Sequence, residues 1–100
     1  MLKALHYCQK VIGIVHRDIK PDNIMWTLLI DFGVSTKYDL DAVKENEKAN
    51  DLLKLRTGTY MFFAPELFKT GKDRVSCGPA TDMWALGITF YYLLTGKFPY

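Results

Sequence analysis

Leu2, Leu5, Cys8 and Ile12 recur near helical spacing, with Lys3, Gln9 and Lys10 on other faces, which predicts a helix stopping around Gly13. Ile14-Val15 reads as a very short extended piece, and residues 16–23 as a polar loop holding Pro21. Ile24 to Ile30 is almost uninterruptedly apolar and β-compatible, and Asp31-Phe32-Gly33 closes it with a turn. Residues 37–54 are the most hydrophilic stretch. Lys37, Lys44, Lys48 and Lys54 are set there against Asp39, Asp41, Glu45, Glu47 and Asp51, so a solvated loop with a helical turn or two is expected. From Thr81 onward a strong helix is predicted, with Thr81 or Asp82 as its N-cap and Gly96 and Pro99 ending it. Trp84–Leu94 is apolar all round, so burial on every side is expected.

Composition bounds this pattern without deciding it. Of 100 residues, 49% are apolar and 24% charged, the balance of a globular chain rather than a disordered one. So short a chain buries a smaller fraction of its surface than a large domain does. The net charge of +2 argues neither for nor against a nucleic-acid or membrane partner, and no nucleic-acid partner is expected. The longest apolar run, Met83 to Leu94, is twelve residues, whereas a membrane-spanning helix needs about 20. No membrane span is expected, and Met1–Lys10 interleaves Lys3, His6, Gln9 and Lys10 with apolar residues, unlike a signal peptide. Cys8 and Cys77 belong to no CxxC pair and read as free thiols of a reducing, cytoplasmic or nuclear compartment.

Three polar segments carry chemistry: His16-Arg17-Asp18-Ile19-Lys20-Pro21-Asp22-Asn23, then Asp31-Phe32-Gly33, then Ala64-Pro65-Glu66. Each tripeptide alone is a weak signal. In this order, with eight consecutive residues in the first, the chain resembles the eukaryotic protein kinase family, serine/threonine type. The resemblance covers nearly every residue, including a substrate-docking strip at residues 58–66 and the start of a buried helix at residues 81–87. It implies an α+β fold: a fragment of the protein-kinase-like fold, mainly the helical large lobe, with catalytic loop, short β-hairpin and activation segment. The stretches Asp31–Ser35 and Trp84–Thr89 resemble, more weakly, the calcium/calmodulin-dependent kinase kinases.

The resemblance also implies roles. Phosphoryl transfer rests on positioning and charge neutralisation, with ATP and Mg²⁺ as cofactors. Asp18 would accept the substrate hydroxyl proton, and Lys20 would neutralise charge on the moving phosphoryl group and bind the nucleotide. Asp31 and Asn23 would hold Mg²⁺, Asn23 through its amide oxygen, since that ion favours oxygen ligands. Lys20 and Thr59 belong to the pattern of kinases acting on Ser/Thr hydroxyls of proteins, and Thr59 would contact both Asp18 and Lys20. His16 and Phe32 read as packing residues, Asp22 as a solvated carboxylate, and Asp82 as an acceptor of backbone N–H groups from the catalytic loop. Arg17 would read an anion on the activation segment, supplied by Thr57 phosphorylated by an upstream kinase, or by an acidic residue such as Asp51.

Departures from the family pattern are equally specific. The Gly-rich loop, the strand lysine, its helix glutamate and the adenine-holding hinge have no counterpart, and an arginine partner for Glu66 is missing. Against a kinase domain of about 250 residues, roughly two-fifths is present. Seven residues, Ile24–Ile30, separate Asn23 from Asp31, with no Gly, Asn, Asp or Pro to turn a hairpin. The turn is expected to have been cut out, as in a truncated or mis-spliced gene. Residues 1–100 are therefore expected to be a partial catalytic domain, inactive alone. The alternative is a non-catalytic kinase-derived interaction module, disfavoured by the retention of Asp18, Lys20, Asn23 and Asp31. A small-molecule kinase is disfavoured by the strip at residues 58–66.

Overall fold

Leu5 and Cys8 are both buried, and the helix that carries them changes pitch between them. In the computed structural model, which describes residues 1–25, 28–38, 58–70 and 78–100, α1 (Leu2–His6) runs directly into a π-helical segment, Tyr7–Ile12. Gly13 stops it at φ 76°, a left-handed conformation that glycine adopts without a Cβ penalty, and donates its N–H to the Cys8 carbonyl five residues back. Leu2 and Ile12 remain exposed, so the inward face is narrower than its apolar spacing predicts.

Strand β1 (Ile14–Val15) pairs antiparallel with β4 (Thr36–Lys37), Ile14 opposite Lys37 and Val15 opposite Thr36. Strands β2 (Ile24–Met25) and β3 (Leu28–Leu29) form a second antiparallel pair, Ile24 opposite Leu29 and Met25 opposite Leu28. The sequence led us to expect a hairpin without its turn, yet the strands pair with only Trp26-Thr27 between them. The pairing is held from its open end. Ile30 N–H donates to the Asn23 carbonyl at 2.9 Å, and Ile24 and Leu29 pack against the core.

Helix α2 spans Pro79–Thr95 and starts earlier than predicted: Gly78 is its N-cap and Pro79 its first residue. Proline suits that position because its fixed φ is helical and it has no N–H to leave unpaired. Thr81 and Asp82 consequently sit inside the first turn, the Thr81 hydroxyl donating to the Gly78 carbonyl at 2.6 Å. Gly96, at φ 69°, closes the other end with an N–H bond to the Tyr92 carbonyl. Burial of α2 on all sides is not observed. Thr81, Asp82, Ala85, Leu86, Ile88 and Thr89 are buried, while Met83, Phe90, Tyr91 and Leu93 are exposed and Leu94 is 85% exposed. Among the described residues packing reaches one face only: Leu5, Ile19 and Phe62 join Ala85, Leu86 and Ile88 in the core, with Met1 and Phe98 against them.

Short 3₁₀ turns, Pro21–Asn23, Tyr60–Phe62 and Pro65–Phe68, complete the described chain. Among the described residues no helix is long and apolar enough to cross a membrane. The hydrophilic stretch beyond Tyr38 and Cys77 lie outside the described residues; Cys8 is a free thiol.

Candidate active site

The loop from His16 to Asn23 is suspended from the first turn of α2. The Asp82 carboxylate accepts the His16 N–H on Oδ2 at 2.7 Å and the Arg17 N–H on Oδ1 at 2.8 Å. This is the role read for Asp82 from sequence. Asp82 is 1% exposed, and burial raises its carboxyl above the usual carboxylate range, opposed by the N–H donors of Arg17 and His16. Arg17 takes φ 69° at this suspension point and Asp31 takes φ 58° in the following turn. Such left-handed, non-glycine backbone costs about 1–3 kcal/mol and clusters at functional sites.

His16 is fully buried and polar on both edges of its ring. Nδ1 accepts the Asp18 N–H at 3.2 Å and Nε2 lies 2.9 Å from the Ile30 carbonyl, so the tautomer with its hydrogen on Nε2 satisfies both. Its ring packs edge-on against Phe32, centroids 4.7 Å apart. Packing was the expected role for both residues. The hydrogen bonds add that His16 also ties the loop to the β3–turn junction.

Three residues singled out from the sequence, Thr59, Lys20 and Asn23, converge on Asp18. The Thr59 hydroxyl donates to Asp18 Oδ1 at 2.8 Å and accepts from Lys20 Nζ at 2.8 Å. Lys20 Nζ also stands 3.7 Å from Asp18 Oδ2. Asn23 Nδ2 donates to the Asp18 carbonyl at 2.8 Å and to Asp18 Oδ2 at 3.1 Å. The Asn23 amide nitrogen is thereby spent on Asp18. Asn23 is 5% exposed, and no described residue donates to its Oδ1.

Asp31 is exposed, with Oδ1 accepting the Gly33 N–H at 3.2 Å. The Ile30–Asn23 backbone bond brings the start of this turn beside the end of the loop. Among the described residues no group of three or more His, Cys, Asp or Glu side chains could hold a metal ion. A metal here would therefore rest on Asn23 and Asp31 oxygens completed by ligand phosphates and water, which is how Mg²⁺ is commonly held. A cavity of about 20 Å³ lies beneath the loop, lined by Arg17, Asp18, Thr59, Phe62, Asp82 and Ala85. That is room for a water molecule rather than a nucleotide.

Arg17 directs its guanidinium to the segment after the turn, Nε donating to the Val34 carbonyl at 2.7 Å. Thr57 and Asp51, the anion sources considered for Arg17, lie outside the described residues. Gly58 was read only as part of the docking strip, and its structural demand was missed. At φ 101°, an added Cβ would overlap the Arg17 carbonyl oxygen. A lone glycine before threonine carries no signal of that close approach.

A protein kinase domain family profile matches residues 1–100. Mouse sperm motility kinase 3A is 45% identical to the chain, which it matches along 100% of its length and 18% of its own. Serine/threonine-protein kinase TOS3 of Saccharomyces cerevisiae is 44% identical, covering 88% of the chain and 17% of itself. Serine/threonine-protein kinase chk-1 of Caenorhabditis briggsae is 40% identical over 99% of the chain and 18% of its own length. The chain thus spans under one fifth of each of these relatives. With the loop, turn and strip matched end to end, the chain belongs to the protein kinase domain family.

Proposed function

We propose that this chain carries the phosphoryl-transfer loop of a protein serine/threonine kinase, which moves the γ-phosphoryl group of ATP to Ser or Thr hydroxyls of protein substrates. The observation that carries the reading is the bonded set Lys20–Thr59–Asp18–Asn23. Asp18 is the acceptor of the substrate hydroxyl proton, its carboxylate held on both oxygens by Thr59 and Asn23. Lys20 steadies Thr59 and offers its positive charge to the transferring group. Asn23 Oδ1 and the exposed carboxylate of Asp31 would be the oxygen ligands for Mg²⁺, and Lys20, Asn23 and Asp31 would bind the nucleotide. Bound Mg²⁺ supplies neutralisation of phosphate charge.

Arg17 is the regulatory anion reader, and Thr57, phosphorylated by an upstream kinase, its partner in the active state. Residues 1–100 act as part of a catalytic domain in the cytoplasm or nucleus. The parts that hold adenine are supplied from outside this stretch, so residues 1–100 alone are inactive.

A chimera tests this. Residues 1–100 replace the matching segment of TOS3, and transfer from Mg-ATP to a Ser/Thr peptide is measured. The chimera should be active, Asp18→Asn should slow it about 10²–10⁴-fold, and residues 1–100 alone should transfer nothing. A folded, ATP-binding chimera without activity would sink the reading, as would one indifferent to Asp18→Asn.

A further inference from the structure

Beyond α2 the chain turns back onto its own core. Gly96, at φ 69°, makes the turn, and the Lys97 N–H donates to the Thr95 hydroxyl oxygen at 3.2 Å. Phe98 is thereby returned to the end of α2, its ring centroid 4.8 Å from that of Tyr92. It is half-buried and packs against the core, whereas Leu93, Leu94 and Tyr100 on either side of it are exposed.

The second ring that Phe98 meets is Phe62, thirty-six positions earlier in the sequence. The two stand edge to face, centroids 5.6 Å apart and planes at 72°, so that a positive ring edge points at a negative ring face. Phe62 is 9% exposed and shares the core with Ala85, Leu86 and Ile88. It also ends the 3₁₀ turn Tyr60–Phe62, which begins from Thr59: the Phe62 N–H donates to the Thr59 carbonyl at 3.0 Å. A turn this short has little hold of its own, so its place on α2 follows from how the Phe62 ring is seated. Phe62 borders the small cavity that Thr59 and Asp18 also line, and a void supplies no partner atoms to hold a ring. Among the described residues Phe62 makes its ring contact with Phe98, while Tyr60, Phe63 and Phe68 make theirs with one another.

We propose that Phe98 is a positioning residue for the Thr59 hydroxyl. By fixing the Phe62 ring against α2 it sets the turn that starts at Thr59, and with it the bond from Thr59 to Asp18 Oδ1. What that bond does for phosphoryl transfer rests on the kinase reading above; the positioning itself does not.

Amide hydrogen exchange and methyl resonances of residues 1–100, without nucleotide, test it. Phe98→Leu keeps an apolar side chain and removes the ring, and Phe98→Tyr keeps the ring. Exchange at the Phe62 amide should rise about three- to tenfold in Phe98→Leu, the effect of one lost aromatic pair, and the Thr59 methyl resonance should shift. Both should return toward wild type in Phe98→Tyr, with the Leu5 and Leu86 amides unchanged throughout. Phe68→Leu, which removes ring contacts to Tyr60 and Phe63, should leave the Phe62 amide at wild-type protection. A Phe98→Leu variant with wild-type Phe62 protection and Thr59 resonance overturns the proposal. So does a uniform rise that includes Leu5 and Leu86, a Phe98→Tyr variant that behaves like Phe98→Leu, or an equal effect of Phe68→Leu. Should Phe98→Leu not fold, Phe98→Met, closer in volume, is read by the same criteria. Neither measurement involves phosphoryl transfer, so an inactive chimera would leave this result standing.

Discussion

Thr59 donates its hydroxyl to Oδ1 of Asp18 at 2.8 Å across 41 residues of sequence, and the Thr59 hydroxyl oxygen in turn accepts from Lys20 Nζ. One hydroxyl thus ties the segment at Thr59 to the loop. Thr59→Val keeps the shape and leaves Asp18 Oδ1 and Lys20 Nζ without this partner. Both side chains are partly exposed, so water recovers some of the loss, and a destabilisation of about 1 kcal/mol is expected. The Lys20–Asp18 ion pair at 3.7 Å replaces little of it, since exposed pairs contribute about 0–1 kcal/mol. Urea unfolding should show a lower midpoint at unchanged slope, and Thr59→Ser should restore the midpoint.

Gly58 makes the approach of these two segments possible. Its φ of 101° is costly for any residue with a Cβ, and that Cβ would meet the Arg17 carbonyl oxygen. Backbone oxygen cannot swing aside as a side chain can. Gly58→Ala should therefore destabilise by about 2–4 kcal/mol, more than Thr59→Val. In nuclear magnetic resonance spectra the largest shifts should fall on Arg17 and Asp18 rather than on α2.

Which of these features could be read from residues alone depends on whether the chemistry was local. Gly13 and Gly96 stop their helices because glycine accepts φ near 70°, a local property, and both were expected as stops. The meeting of Thr59 with Asp18 and Lys20, and of Asp82 with the loop, were legible only through family resemblance, because no spacing rule links residues 41 and 66 positions apart. The start of α2 was misplaced because Thr81-Asp82 is a strong capping pair, while Pro79 at the first helical position is the alternative that prevails. The π-turn at Tyr7–Ile12 leaves no mark in apolar spacing over so short a segment. Trp26-Thr27 offers no turn chemistry, and the β2–β3 pairing arises from contacts at its other end.

Asp82 should titrate above an ordinary carboxyl, because burial outweighs the N–H donors that hold it. The folded chain then binds a proton at pH values where the unfolded chain has already released it. Across that window, which opens at the ordinary carboxylate value and closes at the raised one, stability contributed by Asp82 falls as pH rises. Above the window it is constant. Unfolding free energies of wild type and Asp82→Asn, compared from about pH 4 to 7, should show wild type losing ground as pH increases. A flat difference would contradict the burial argument, and the ¹³C resonance of the Asp82 carboxyl reports the titration directly.

Cys8 lies within the influence of the same group. Its thiol is raised chiefly by burial and secondarily by the Asp82 charge. The reactive species is the thiolate, so in a Cys77→Ser background alkylation of Cys8 at about pH 8 should be slow and should accelerate in denaturant. Asp82→Asn removes only the secondary cause. It should raise the rate modestly in the folded chain, leaving most of the protection in place.

The exposed side of α2 makes the last prediction. Met83, Phe90, Tyr91 and Leu94 lie seven or eight positions apart or one turn on, and Gly87 between them has nothing within 4 Å of where a Cβ would stand. An apolar stripe of this length on a 17-residue helix is larger than a soluble monomer usually leaves open. Residues 1–100 should therefore bind a hydrophobic dye and self-associate, more strongly at higher salt, since the contact is apolar. Leu94→Glu, at the most exposed position, should reduce association several-fold in analytical ultracentrifugation while changing unfolding stability by less than about 0.5 kcal/mol. Thr89→Glu is the control from the opposite face. It buries a charge where the Thr89 hydroxyl now donates to the Ala85 carbonyl at 2.8 Å, and it should unfold the chain instead. If both variants associated like wild type, the outer face of α2 would not be the surface responsible.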